Sequence, residues 1–399
     1  VLTRGFDPAL SVGSARPAVF RSSTYVFTSP EAAERAFNVV SGREKAEPGE
    51  RVDLIYSRFN HPNAEILEDQ IVPLEAGATA AAVFNSGMAA IMTSILTFAR
   101  PGSTIIYTVP LYGGTQHLIH DFLEPLGIRG VPVIAGHGHE FDEAIAKADN
   151  PAIVLIETPA NPTMMMTDIR RAVTAAGRLP NPPLVMVDNT FLGPAFQHPL
   201  KLGADITVYS ATKYLSGFSD MIAGVAIGRR RELIVAIQAK RGMFGNILQP
   251  DECWMLDSRL PTVSLRMNRA SKNAQRIAER LVNHPKVKRV YYPTLFQDAE
   301  QIRIRIAQCD FPGAMISLEL RGGKAAAFEF LRHLNIGRNA VSLGGVETLV
   351  CHPKTTTHSS LTPQEMEVAG ITDGLVRISV GIEDWRDLVA DFEQALELA

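Results

Sequence analysis

Lys213 sits where a lysine can do carbonyl chemistry. It stands in Ser210-Ala211-Thr212-Lys213-Tyr214, directly after the apolar run Ile206–Ser210 and before Leu215-Ser216-Gly217. An ammonium just past a buried strand carries a desolvation cost unless it is paired or neutral, and that cost lowers its pKa. A neutral amine can attack a carbonyl. The hydroxyls of Ser210 and Thr212, two residues apart, can face one bound phosphate. The segment alone is equally compatible with a surface lysine beside a helix cap. Asp188, in Asp188-Asn189-Thr190, closes another apolar run, Leu184–Val187. An acid there can pair with a protonated ring nitrogen or cap a following helix.

Three further segments have the same double character. Asn85-Ser86-Gly87-Met88 joins a strand to a helix. Gly87 permits close backbone approach, and N–H groups at a helix start suit a phosphate; an ordinary Ser N-cap has the same look. Tyr112-Gly113-Gly114-Thr115 follows a strand and offers a tyrosine for stacking, or a simple glycine turn. Arg377 is a charge inside the apolar strand Leu375–Ser379. Arginine pairs bidentately with carboxylates, so it could hold a substrate carboxylate or bridge to a structural acid such as Glu383.

The elements that must position these groups are visible in the pattern of apolar runs. Ala80–Phe84, Thr104–Thr108, Ala152–Glu157, Leu184–Asp188, Ile206–Ser210 and Ile222–Ile227 read as buried strands. Gly87–Phe98 and Tyr112–Leu126 are long enough for crossover helices. Alternation of this kind implies a mostly parallel sheet covered on both faces, with ligands beyond the carboxyl ends of its strands. The residues that close those runs, including Glu157-Thr158, are the place to look. Arg266–Asn283 reads as a long amphipathic helix. Beyond it Val287–Tyr292, Ala314–Leu320 and Leu375–Ser379 read as strands, and Lys324–Leu334 and Asp384–Leu398 as helices. The expected division is an N-terminal arm over residues 1–60, a large domain over 61–259 and a smaller α/β domain over 260–399. The arm is poorly periodic, with a turn at Pro48-Gly49 and a solvated charged run from Gly42 to Arg51.

Bulk properties exclude several classes. The chain has 399 residues, 46% apolar and 20% charged, as expected of a globular protein of more than one core. A net charge of −3 gives no reason to expect nucleic acid or an anionic membrane. Cys253, Cys309 and Cys351 are three in number with no Cys-x-x-Cys pair, which argues against a disulfide framework and for a reducing, cytoplasmic setting. Val1-Leu2-Thr3-Arg4 lacks a signal pattern, and no membrane span is expected. No second ligand pair accompanies Cys351-His352, so no metal is expected. No Gly-x-Gly-x-x-Gly fingerprint opens the first βα unit, which disfavours a dinucleotide-binding oxidoreductase.

Together these segments resemble the cystathionine/methionine-metabolism family of pyridoxal-phosphate enzymes. The resemblance runs from Tyr56-Ser57-Arg58 through Glu157-Thr158-Pro159-Ala160-Asn161-Pro162, Ser210–Tyr214 and Ser342–Leu349 to Arg377–Asp384. It implies an aspartate-aminotransferase-like α/β fold (fold type I), with a mostly parallel seven-stranded sheet and a smaller C-terminal α/β domain. It also implies pyridoxal 5'-phosphate as cofactor. By the resemblance, Lys213 would hold the cofactor as a Schiff base and later shuttle protons. Asp188 would pair with the ring nitrogen and Tyr112 would stack on the ring. Ser86, Gly87, Met88, Thr190, Ser210 and Thr212 would surround the cofactor, and Asn161 would lie near its 3-hydroxyl. Tyr56 and Arg58 would reach the phosphate of a neighbouring subunit in a homotetramer built as a dimer of dimers. Val341, Ser342 and Arg377 would face the substrate, together with Tyr56, Arg58, Tyr112 and Asn161.

The implied reaction is α,γ-elimination on methionine, homocysteine or cystathionine, as in methionine and cystathionine γ-lyases. The alternatives are γ-replacement, as in cystathionine γ-synthase or homoserine-ester sulfhydrylase, and a silent ligand-binding relative. Val341 stands where cystathionine-processing members often carry a glutamate, and a neutral side chain suits a short apolar substituent. Three positions depart from the family pattern. Gly114 stands where methionine γ-lyases often have cysteine, Phe218 where histidine is common, and His61-Pro62-Asn63 varies Asn-Pro-Thr.

Overall fold

The computed structural model describes residues 5–47, 50 and 52–399. The expected turn at Pro48-Gly49, the end of the charged run at Arg51 and the first four residues lie outside the described residues. The large sheet holds β1 (Ala80–Phe84), β2 (Thr104–Val109), β3 (Arg129–Ile134), β4 (Pro151–Glu157), β5 (Leu184–Asp188), β6 (Ile206–Ser210) and β7 (Gly224–Gly228). Their order is β1-β7-β6-β5-β4-β2-β3. Strands β2 to β6 run parallel, and β7 lies antiparallel to both β6 and β1. This is the expected mostly parallel seven-stranded sheet.

Alternate side chains explain why each short strand is apolar throughout. Val185 and Val187 enter the core on one face, and Met186 enters the core on the other. Each such side chain stabilises the fold by about 1.5–3 kcal/mol when fully buried. β3 escapes the sequence reading because Arg129, Gly130 and Pro132 break its apolar run. It is an edge strand, where a proline costs no ladder bond that the sheet needs. Gly87–Phe98 is a helix as expected. The Tyr112–Leu126 stretch forms only a short helix, Gly113–His117, that widens into a π-type turn over Leu118–Leu123. Within the arm, Pro30–Val40 is an unexpected helix. Ser29 caps it, accepting from the Ala32 N–H at 3.1 Å, and Pro30 opens it.

The second sheet holds β8 (Val287–Tyr291), β9 (Met315–Leu320), β10 (Arg338–Asn339), β11 (Leu349–Cys351) and β12 (Leu375–Ser379). Its order is β10-β11-β12-β9-β8, antiparallel except between β10 and β11. The amphipathic helix spans Val263–Leu281 and buries Met267, Ala270, Ala274, Ile277 and Ala278. One apolar core continues from Val185 and Val187 of the large sheet to Ile316, Leu318, Val376 and Ile378 of the small one. The two sheets are therefore packed through a shared core, and a strand of the second can wall a cavity of the first. Among the described residues, no helix is long and apolar enough to cross a membrane.

Candidate active site

The carboxyl ends of three adjacent parallel strands bring Glu157, Asp188 and Ser210 to one edge of the large sheet, with Glu157 and Asp188 in register. Beyond them lies a cavity of about 260 Å3. Lys213 is carried to it by the turn after β6. That turn is pinned to the chain entering β7 by the Thr212 N–H to the Ala223 carbonyl at 3.2 Å and by the Ala223 N–H to Thr212 Oγ1 at 3.1 Å. Lys213 Nζ donates to Ser342 Oγ at 2.9 Å. Burial, with the positive charge of Arg377 second, pushes the lysine down to about 8. The surface-lysine alternative does not describe it.

Asp188 lines the same cavity. Its Oδ1 accepts from the Thr190 N–H at 3.0 Å and from Thr190 Oγ1 at 2.6 Å, so it braces a turn and does not cap a helix. Burial raises its pKa, while both Thr190 donors oppose the rise. Thr190 Oγ1 in turn accepts from the Ser210 N–H at 2.9 Å, which ties the ends of β5 and β6 together.

Ser86 does cap its helix, accepting from the Ala89 N–H at 3.0 Å. The next residue, Gly87, presents its backbone toward Ser210: a Cβ there would lie 3.0 Å from both Ser210 Cα and Cβ. Ser86, Gly87, Met88, Ser210 and Thr212 thus border one corner of the cavity at a helix N-terminus. That is a cradle of backbone N–H groups and hydroxyls fit for a phosphate.

Arg377 enters from the central strand of the small sheet and is 2% exposed. It makes no bridge to Glu383, whose carboxylate instead accepts from Thr348. Arg377 Nη1 donates to Asn161 Oδ1 at 3.1 Å and Nη2 to the Val341 carbonyl at 2.7 Å. Its Nε is buried without a partner. Arg377 lines the cavity, and a guanidinium on a cavity wall suits an incoming carboxylate.

Tyr112, Asn161 and Val341 also line the cavity. Tyr112 and Val341 are 45% and 54% exposed, so both stand at its mouth. Tyr56 and Arg58 do not line the chain's own cavity. Arg58 lies over the Phe59 ring at 4.9 Å and donates to the Gly242 carbonyl. Ser342 meets the site through Lys213 and through its carbonyl, which accepts from Arg377 Nη2 at 3.3 Å.

Sequence reasoning gave no role to Glu157 or His358. Glu157 is 6% exposed and its oxygens accept from the Tyr112 N–H at 2.9 Å and the Asn161 N–H at 3.1 Å. Burial, then the charge of Asp188, raises its pKa, while the Tyr112 and Asn161 N–H groups oppose the rise. His358 Nε2 bonds the Asn161 carbonyl at 3.1 Å, and burial pushes it down to about 4, so it is a neutral prop. The signal for Glu157 was present, since it closes an apolar strand as Asp188 does.

Two of the departures have physical accounts. A Cβ on residue 114 would lie 2.7 Å from Tyr112 Cε1, so Gly114 leaves the tyrosine ring room to lie over it. Phe218 is exposed and faces the guanidinium groups of Arg259 at 4.9 Å and Arg266 at 5.7 Å. Among the described residues no cluster of His, Cys, Asp and Glu could hold a metal ion. His352 is instead occupied by the Asp373 carbonyl at 2.8 Å and Thr355 Oγ1 at 2.9 Å.

An amine, an acid, a phosphate cradle and a guanidinium around one cavity fit pyridoxal phosphate and an amino acid. Comparison with known proteins agrees. L-methionine gamma-lyase of Fusobacterium nucleatum subsp. nucleatum is 41% identical over 381 residues, 95% of this chain and 92% of that one. Cystathionine beta-lyase MetC of Bacillus subtilis is 40% identical over 342 residues, 86% of each chain. The crystal structure of cystathionine gamma-lyase from Lactobacillus plantarum complexed with L-serine superposes with a TM-score of 0.88 at 32% identity, covering 100% of this chain and 97% of that one. The model of the Cys/Met metabolism PLP-dependent enzyme family matches residues 2–397, and the chain belongs to that family of pyridoxal-phosphate enzymes.

Proposed function

We propose that the protein is a carbon–sulfur lyase that performs α,γ-elimination, with L-methionine as its preferred substrate. The products are an α-keto acid, ammonia and a thiol. The observation that carries the substrate choice is the neutral wall at Val341. The cavity's two carboxyls, Glu157 and Asp188, are both engaged by backbone N–H groups, and neither stands at its mouth. Ile222, Phe191 and Leu343 complete an apolar lining suited to a methylthio group. A distal ammonium, as cystathionine carries, would find no acid at residue 341.

Bound pyridoxal phosphate supplies an electron-withdrawing ring that makes the substrate's α-proton acidic. Lys213 would hold it, Asp188 would sit opposite its ring nitrogen, and the cradle of Ser86, Gly87, Met88, Ser210 and Thr212 would take its phosphate. The chain's own groups then divide the work. Arg377, which lines the cavity, holds the α-carboxylate through its guanidinium. Lys213, partly neutral near pH 7, takes the α-proton and returns it at a later carbon. Ser342 aims that amine, and Tyr112 covers the mouth.

Tyr56 and Arg58 lie outside the chain's own cavity, and Val12, Val26 and Leu10 of the arm are largely exposed, which supports an arm that completes a neighbouring subunit's site. A homotetramer of the cytoplasm is the assembly and setting proposed, with residues 1–60 as that arm.

The test is α-keto acid release from L-methionine by the cofactor-loaded protein, with L-cystathionine alongside. Faster release from methionine is expected. Release from cystathionine alone would overturn the argument from Val341. Release from neither, with thiol-dependent product from a homoserine ester, would move the assignment to γ-replacement.

A further inference from the structure

We propose that Glu157 is a positioning residue whose single carboxyl group sets Tyr112 and the Asn161–Arg377 pair in one register, so that the mouth and the carboxylate-binding wall are fixed together. The proposal rests on the reading of the cavity as a pyridoxal-phosphate site for an amino acid, and it adds a residue to which that reading gives no part.

Glu157 forms no ion pair among the described residues, yet it is buried in register with a second acid, the half-buried Asp188. Two carboxyls in that setting destabilise each other's charged forms. If the position needed only volume, an apolar side chain would cost less. What the position supplies is two acceptors pointing at two donors on different loops. Oε2 takes the Tyr112 N–H and Oε1 takes the Asn161 N–H.

The Tyr112 bond fixes the residue that opens the Gly113–His117 helix. The Asn161 bond fixes the residue whose Oδ1 accepts from Arg377 and whose carbonyl meets His358. The path from Tyr112 to Arg377 therefore has Glu157 at its centre. A glutamine offers one acceptor and one NH2, and that NH2 would face an N–H donor. Volume is kept while one of the two ties is lost, so Glu157→Gln separates positioning from packing.

The experiment has two readouts. In the cofactor-free protein, amide hydrogen exchange is followed at Tyr112 and Asn161. In the loaded protein, affinity is measured by cofactor absorbance for L-norleucine, a methionine isostere with a methylene in place of sulfur and no leaving group. Glu157→Gln should speed exchange at Tyr112 or Asn161 by about tenfold or more, the worth of one buried hydrogen bond. Exchange in β4, β5 and β6 should be unchanged, and norleucine should bind about tenfold more weakly.

Glu157→Asp keeps the carboxyl group but is too short to reach both donors, and it should show the same two changes if the glutamine variant does not fold. Unchanged exchange at both amides overturns the proposal. So does faster exchange with unaltered norleucine affinity, which would leave Glu157 a purely structural acid. If both readouts behave as expected while the wild type releases no keto acid from methionine, the positioning role stands and the lyase reading falls.

Discussion

The two sheets deliver functional groups in opposite ways. The large sheet is mostly parallel, and its chemistry lies at strand ends: Glu157, Asp188 and Ser210 are the last residues of β4, β5 and β6. The small sheet is mostly antiparallel, and its contribution, Arg377, lies mid-strand in β12 with Ser317 and Cys351 as its register partners. Parallel strands all end on one side, so polar residues that close them converge there without further design. Antiparallel strands end on alternate sides. A side chain from such a sheet reaches a cavity only where its face is the cavity wall. Proton transfer is therefore expected to depend on the large sheet, and substrate recognition on the small one.

That division makes an ordered set of expectations. Lys213→Ala should lower keto acid release by at least about 10³-fold, since both the carbonyl-attacking amine and the proton carrier are lost. Substantial turnover by this variant would remove the lysine from the mechanism. Arg377→Lys should raise KM for methionine about ten- to a hundredfold, because a lysine cannot reproduce the guanidinium fork, while kcat changes far less. A kcat loss as deep as that of Lys213→Ala would erase the contrast between the sheets.

A third expectation concerns stability of the cofactor-free protein. The native amine titrates near 8, below its ordinary 10.5. Between those values the unfolded chain binds the extra proton, so stability rises as pH rises from 8 to 10.5 and the full penalty applies below 8. Lys213→Met should remove that penalty, gaining on the order of 1–3 kcal/mol at pH 7 and nothing above about pH 10.5. Denaturant unfolding at the two pH values checks it; a pH-independent difference would mean that packing, not charge, decides. The smallest effect is expected at Phe218, outside the cavity. Phe218→Leu should cost about 0.5–1 kcal/mol through its lost guanidinium contacts, with turnover unchanged, and a large activity loss there would give that loop a part in the site.

Residue types and run lengths by themselves determined the fold class, most strands of the large sheet, the long helix before the second sheet, and the candidate groups Lys213, Asp188, Ser210 and Arg377. These are legible because a fully buried strand must be apolar along its length and its closing residue is polar. Only the tertiary structure decided the rest. The edge strand β3 tolerates Pro132 because a neighbour is lacking on one side, a fact of sheet order that no local pattern carries. The helix Pro30–Val40 was signalled by Ser29-Pro30 but packs too lightly to show strong burial, with Ala36 its one buried residue. Whether Arg377 meets Glu383 or lines the cavity depended on which segments pack against it, and those are the ones carrying Asn161 and Val341. Glu157 ends its strand as Asp188 does, yet Glu157 grips two loops while Asp188 braces the turn at Thr190. Sequence sets what each side chain can bond; the packing of distant segments sets which partner is within 3 Å.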